Sequence, residues 1–234
     1  MKMNKMKCFL LLAVCAVATG FMSSCLSSDD DGFDSTFTQE ELSMYLNRLS
    51  GEYNGKLMFY HRGQNKAGTR DSTVLDSIEN VRWTIGRDST IIIENFPDSI
   101  YNNAITGNSD FRNVLANAQA RQLKCNYAPY KARSQSGDAA YGFFVLPEGE
   151  IKNNACYTTN QITIEDDKQY DVEYGYVTNA PSYIEGFYSY YQATGYLSAT
   201  NNINFLLIMA DIKCPGTQSF TTETYLVLLK GRKL

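Results

Sequence analysis

From Thr38 onward the chain moves from one stretch of helical periodicity into long stretches of strand alternation. Thr38-Gln39-Glu40-Glu41 is a capping box, in which the Thr38 hydroxyl and the Glu41 carboxylate satisfy free N–H groups at a helix start. Leu42, Tyr45, Leu46 and Leu49 follow at helical spacing and Gly51 stops the run, which predicts one short amphipathic helix. Tyr53, Gly55, Leu57, Phe59 and His61 then alternate with Glu52, Asn54, Lys56, Met58, Tyr60 and Arg62, the pattern of a half-buried strand. Ser72 to Ile85 reads as a long strand or two, and Gly86-Arg87-Asp88 as a turn. Thr90-Ile91-Ile92-Ile93 reads as a buried strand running up to Pro97.

Two helical pieces interrupt the strands: Ser99 to Ile105, and Phe111 to Ala120 capped by Asp110. Beyond them the expected strands are Gln122–Pro129, Ala139–Leu146, Gln161–Glu165, Tyr170–Val177, Phe187–Leu197, Asn202–Ile212 and Thr221–Lys230. Pro129, Pro147, Pro181 and Pro215 are expected between strands, where a missing N–H breaks no ladder. Closely spaced strands without intervening helices predict a mainly β, antiparallel meander, closed into a barrel or folded as a two-sheet sandwich. Hiding the sheet edges favours the barrel.

The N-terminal segment has a different character. Lys2, Lys5 and Lys7 precede an apolar run, Cys8 to Ala18, of about 11 residues. A spanning helix needs roughly 20, so the run fits an export signal. Met22-Ser23-Ser24-Cys25 resembles the lipobox of bacterial lipoproteins, which implies cleavage after residue 24 and acylation of Cys25, a stable membrane anchor. The following Ser27-Ser28-Asp29-Asp30-Asp31 is a solvated acidic linker that also resembles the surface-export signal of Bacteroidota lipoproteins. The expected organisation is a signal peptide over 1–24, lipidated Cys25 with an acidic linker over 25–36, and one domain over 37–234.

Composition narrows the chemistry. A chain of 234 residues with 44% hydrophobic and 13% aromatic content is neither disordered nor collagen-like. Its net charge is −4, and loss of the three leader lysines takes this to −7, which opposes nucleic-acid binding. Of the six cysteines, Cys125, Cys156 and Cys214 remain once the leader and the lipid site are set aside, leaving room for one disulfide among them. His61 is the single histidine, so a catalytic triad or a histidine metal site has nothing to build on. Glu165-Asp166-Asp167, Asp171 and Glu173 are the only plausible hydrolytic carboxylates, and the first three stand where a turn is expected. No catalytic set, metal site or cofactor is therefore expected. The densest chemical feature is aromatic: Tyr183, Phe187, Tyr188, Tyr190, Tyr191 and Tyr196 crowd together. Rings and hydroxyls of this kind fill apolar pockets and stack on sugars.

Gly51-Glu52-Tyr53-Asn54-Gly55-Lys56-Leu57 after a short helix, with Asp88-Ser89-Thr90-Ile91-Ile92-Ile93 and Asn95-Phe96-Pro97 before short helices, resembles the calycin-like (lipocalin-like) lipoproteins of Bacteroidota, a group of unknown function. Gly51-x-Tyr53 stands where lipocalins carry Gly-x-Trp. The resemblance implies a barrel of about eight or more strands, and no catalytic residues. The functional expectation is an outer-membrane lipoprotein, on the cell surface or alternatively the periplasmic face, that binds a small hydrophobic or glycan ligand non-covalently in the barrel cavity or at the Tyr-rich 183–196 segment. The alternative is an envelope protein-interaction or scaffold module with a solid-packed barrel.

Overall fold

The computed structural model describes residues 34–64, 70–105, 107–133, 138–152, 155–164, 168–178, 180–184, 187–191, 194–214, 220–221 and 225–234. The export signal, Cys25 and the acidic linker as far as residue 33 lie outside the described residues. Helix α1 spans Gln39–Leu49. It starts at the expected box: the Glu41 N–H donates to Thr38 Oγ1 at 3.1 Å and the Thr38 N–H to Glu41 Oε2 at 2.9 Å. Gly51 follows the cap residue Ser50 with φ +145°, a conformation open to glycine, and a Cβ there would press on the Lys233 side chain.

The strands are β1 (Gly51–Gln64), β2 (Arg70–Ile85), β3 (Thr90–Phe96), β4 (Arg121–Arg133), β5 (Ala139–Pro147), β6 (Glu150–Lys152) and β7 (Ala155–Thr163). They continue with β8 (Gln169–Val177), β9 (Ala180–Ile184), β10 (Phe187–Tyr191), β11 (Thr194–Leu197), β12 (Asn202–Lys213), β13 (Phe220–Thr221) and β14 (Tyr225–Lys233). Between β3 and β4 come a 3₁₀ helix, Asp98–Ala104, and helix α2, Ser109–Ala116. All pairings are antiparallel. One sheet runs β11-β5-β4-β3-β2-β1-β14-β12-β8-β7-β6, with β13 beside β12 and a separate β9–β10 hairpin. The short β11 pairs with both β5 and β12, so the path curls into a partial ring. β12 serves two neighbours in turn: residues 202–208 pair with β14 and 209–213 with β8.

The inward positions of these strands form an aromatic core. Tyr53, Leu57 and Phe59 of β1, Trp83 of β2, Phe143 of β5, and Phe205 and Leu207 of β12 are all buried. Removing each such side chain from water contributes roughly 1.5–3 kcal/mol. α1 lies across one end of the ring: Lys131 of β4 bridges to Glu41 at 2.9 Å, Arg48 Nη2 donates to the Ser198 carbonyl at 2.6 Å, and Lys233 Nζ donates to the Arg48 carbonyl at 2.9 Å. The 3₁₀ segment covers the other region of the core, where Tyr101 packs on Phe59, Phe96 and Tyr174.

Several expectations need correction. The strands form one continuous sheet with a small hairpin beside it, not two stacked sheets. α2 is capped by Asn108, whose side chain accepts from the Phe111 N–H at 2.9 Å, not by Asp110; it ends at Ala116. β7 begins at Ala155, earlier than the apolar signal at Gln161 suggested, because Ala155–Thr158 is buried on both faces and does not alternate. Phe187–Leu197 is two strands, β10 and β11. Pro129 lies inside β4 opposite Phe143, on the stretch beyond the last β3 pairing at Thr90–Asn126, so its missing N–H faces no neighbour. Pro181 likewise lies inside β9, and Pro147 ends β5.

Candidate functional site

Among the described residues the ring interior is packed with aromatic side chains. Tyr53 stacks on Trp83, Trp83 meets Phe205 edge-on, and Phe143 packs against both Phe205 and Tyr127. Gly231 of β14, opposite Gly55 of β1, makes the room for the indole, since a Cβ on it would overlap the Trp83 ring.

A concave space lies on the outer face of the sheet. An open groove of about 350 Å³ is lined by Tyr60, Ser72, Thr194, Tyr196, Asn204, Phe205, Leu206, Leu226 and Leu228. Alternation explains it. Phe205 and Leu207 point inward from β12, so Asn204 and Leu206 point outward, beside Leu228 of β14. The floor is apolar. The rim is polar and uncharged: Tyr196, 53% exposed, accepts at its hydroxyl from Asn204 Nδ2 at 2.6 Å, and the Tyr60 hydroxyl donates to the Met58 sulfur at 3.2 Å. A volume of this size stands at the lower end of the roughly 300–1,000 Å³ typical of small-molecule sites.

A second cluster is buried. Asp98 is 0% exposed, and its Oδ2 accepts from Arg121 Nε at 2.5 Å and from Asn160 Nδ2 at 2.8 Å. Arg121 Nη2 also donates to Thr158 Oγ1 at 3.0 Å, and its guanidinium lies 5.5 Å from the centre of the Tyr174 ring. The Tyr101 and Tyr176 hydroxyls share a hydrogen bond of 2.9 Å. Asp98 Oδ1 and the Tyr174 hydroxyl have no partner among the described residues. Burial raises the Asp98 carboxyl above its ordinary value, against the opposing pull of Arg121 and Asn160. The same burial pushes the Tyr101, Tyr174 and Tyr176 phenols well up. A single carboxylate, already taken by an arginine and closed to solvent, ties the 3₁₀ segment to β4 and β7.

Of the residues singled out in the sequence, Tyr196 is in the groove. Tyr183, Phe187, Tyr188, Tyr190 and Tyr191 belong to the β9–β10 hairpin, whose backbone register sets Tyr188 opposite Tyr183; their side chains lie outside the described residues. Cys125, Cys156 and Cys214 are all buried, and no disulfide joins them in this structure. Cys156 Sγ donates to the Pro147 carbonyl at 3.0 Å, and burial pushes its thiol up to about 11 and that of Cys125 higher still. His61 stands near the end of β1 with its ring 5.0 Å from that of Tyr225. Asp171 is exposed on β8 and accepts from Gln161 Nε2 at 3.2 Å, and Glu173 is two residues along; Glu165, Asp166 and Asp167 lie outside the described residues. The described residues contain no group of three or more His, Cys, Asp or Glu placed to hold a metal ion. No helix among them is long and apolar enough to cross a membrane.

Sequence reasoning missed the groove floor and Asp98. Leu206, Leu226 and Leu228 carry the alternation signal of strands, but which strands lie side by side is not a local property. Asp98 after Pro97 reads as the first residue of a helical turn.

The fold and the groove define a mainly β protein, antiparallel throughout, built as one sheet around an aromatic core. The chain matches a domain of unknown function (DUF4840) over residues 48–214 and belongs to that family. No curated protein and no solved structure is a match.

Proposed function

We propose that this chain is a lipid-anchored outer-membrane protein, exposed at the cell surface, whose calycin-like barrel binds a small hydrophobic ligand without chemistry on it. The observation that carries the reading is the pairing of a filled interior with an open apolar groove on the outer sheet face. The ligand site is therefore Leu206, Leu226 and Leu228 with Tyr60 and Tyr196 at the rim, not the barrel lumen. An apolar floor with an uncharged rim suits an acyl or similarly apolar body better than a glycan, whose hydroxyls would need more polar partners than Asn204, Ser72 and Thr194 offer. The anchor reading rests on Met22-Ser23-Ser24-Cys25 and the apolar run before it.

Native mass spectrometry of the protein purified from its own membranes tests the binding. An adduct retained under native conditions, lost on denaturation and absent from Leu228→Trp supports the groove. A bare mass for both proteins overturns it. Mass analysis of the N-terminal peptide, with and without Cys25→Ala, tests the anchor. Protease treatment of intact cells tests surface exposure.

The filled interior also favours a second reading, an envelope protein-interaction module with a solid-packed barrel. Site-specific cross-linking from Tyr196 in intact cells separates the two: one defined protein adduct supports the module, and none supports the ligand binder.

A further inference from the structure

The outer face of the sheet continues from the groove into a row of cations. Residues directly opposite on antiparallel strands share a face, and successive rows lie two residues, about 6.8 Å, apart. Ile208, Leu226 and Tyr60 lie abreast on β12, β14 and β1, and Leu206, Leu228 and Met58 form the next row. Asn204, Lys230 and Lys56 follow, then Asn202, Arg232 and Asn54, with Arg82 of β2 beside Asn54. Two apolar rows thus run directly into two polar ones.

The charges in those polar rows are not neutralised alike. Lys56 is paired with Glu79 at 2.7 Å. Lys230, Arg232 and Arg82 are exposed and have no carboxylate within bridging distance among the described residues. Glu52, one row beyond Asn54 on β1, and Glu79 share this face near Arg82 and Lys56, so the excess positive charge is carried by Lys230 and Arg232 of β14, in a chain that is acidic as a whole, at −4. Guanidinium groups in this position suit a carboxylate or phosphate oxygen pair.

We propose that the groove holds a single-chain anionic amphiphile of the fatty-acid type, with its chain along Leu206, Leu228 and Met58 and its head at Lys230, Arg232 and Arg82. This rests on the outer groove being the ligand site and adds the charge and direction of the ligand. The chain end lies toward Tyr60 and Leu226, and Tyr196 with Asn204 flanks the crossover from apolar to charged rows.

The test is calorimetric titration of the mature protein with decanoate, with decanol and with decyltrimethylammonium, each below its micelle concentration. Decanoate is expected to bind about tenfold tighter than decanol, with the difference shrinking as salt rises. Lys230→Gln with Arg232→Gln should bring decanoate close to decanol without moving the thermal transition, because both side chains are exposed. Leu228→Glu should abolish binding of both. Equal affinity for decanoate and decanol overturns the anionic head and leaves the groove standing. No binding of any of the three overturns both readings. Unchanged decanoate affinity in the double glutamine variant places the head elsewhere and overturns the assignment. Binding to anionic phospholipid vesicles without binding of monomeric decanoate also overturns it, since this face would then lie on a bilayer.

Discussion

The Tyr53 ring lies parallel to the Trp83 indole, with 3° between their planes and 5.9 Å between centroids. The Tyr53 hydroxyl donates to the Leu49 carbonyl at 2.6 Å, so the end of α1, the start of β1 and the indole of β2 form one column. Burial raises the Tyr53 phenol to about 12. Gly231 leaves the space that the indole fills, and Gly231→Ala should force it aside at a cost of about 1–3 kcal/mol. Trp83 is the chain's single tryptophan, so its fluorescence reports this site alone. The variant should melt a few degrees earlier and emit at longer wavelength before unfolding.

Asp98 and Arg121 make a buried pair, and breaking it should cost more than removing it. Arg121→Met leaves a buried charge without its cation and should destabilise by roughly 3–5 kcal/mol in urea unfolding at neutral pH. Burial raises the folded-state pKa of Asp98, so its protonated form favours the fold. That contribution is complete below the ordinary carboxylate pKa and disappears as pH rises through the raised one. Arg121→Met removes an opposing influence, so its deficit against the parent should narrow as pH falls. A deficit that is constant with pH would show that Asp98 is not the strained group.

Glu41 has the opposite sign. Its carboxylate accepts from the Thr38 N–H and from Lys131, which together hold its pKa down to about 2. The ionised form is therefore favoured in the fold. This stabilisation is present above the ordinary value near 4.5 and is lost as pH falls toward 2. Glu41→Gln should flatten the acid limb of the stability curve in that window and leave the curve above it parallel to the parent's.

The thiols of Cys125, Cys156 and Cys214 should resist alkylation in the folded protein, since all are buried and those of Cys125 and Cys156 are driven further toward the neutral form. Iodoacetamide followed by peptide mapping should label none under native conditions and all three in denaturant. Protection of two that persists in denaturant, and is removed by reductant, would reveal a disulfide.

What was legible in the sequence was local. The Thr38–Glu41 box, the alternation from Tyr53 to Phe59 and the β-branched run Thr90–Ile93 each declare themselves within a few residues. Tyr196 was legible because aromatic crowding is visible along the chain. The groove floor was not, because Tyr60 and Leu226 meet only through the β1–β14 register, which joins distant parts of the chain. Asp98 was illegible for the same reason, with its partners on β4 and β7. Pro129 misled because a proline breaks a strand only where its N–H would have had a partner.

The end of the strand path at β6 leaves little to pair with. β11 is held between β5 and β12, so the long sheet ends openly at β6, which is three residues long. That strand is Glu150-Ile151-Lys152, exposed throughout and carrying a charge on either side of its one apolar residue. An edge so short and so charged gives a second chain almost no ladder to extend. Two copies meeting at this strand would gain a ladder of only three residues, too few to hold them together.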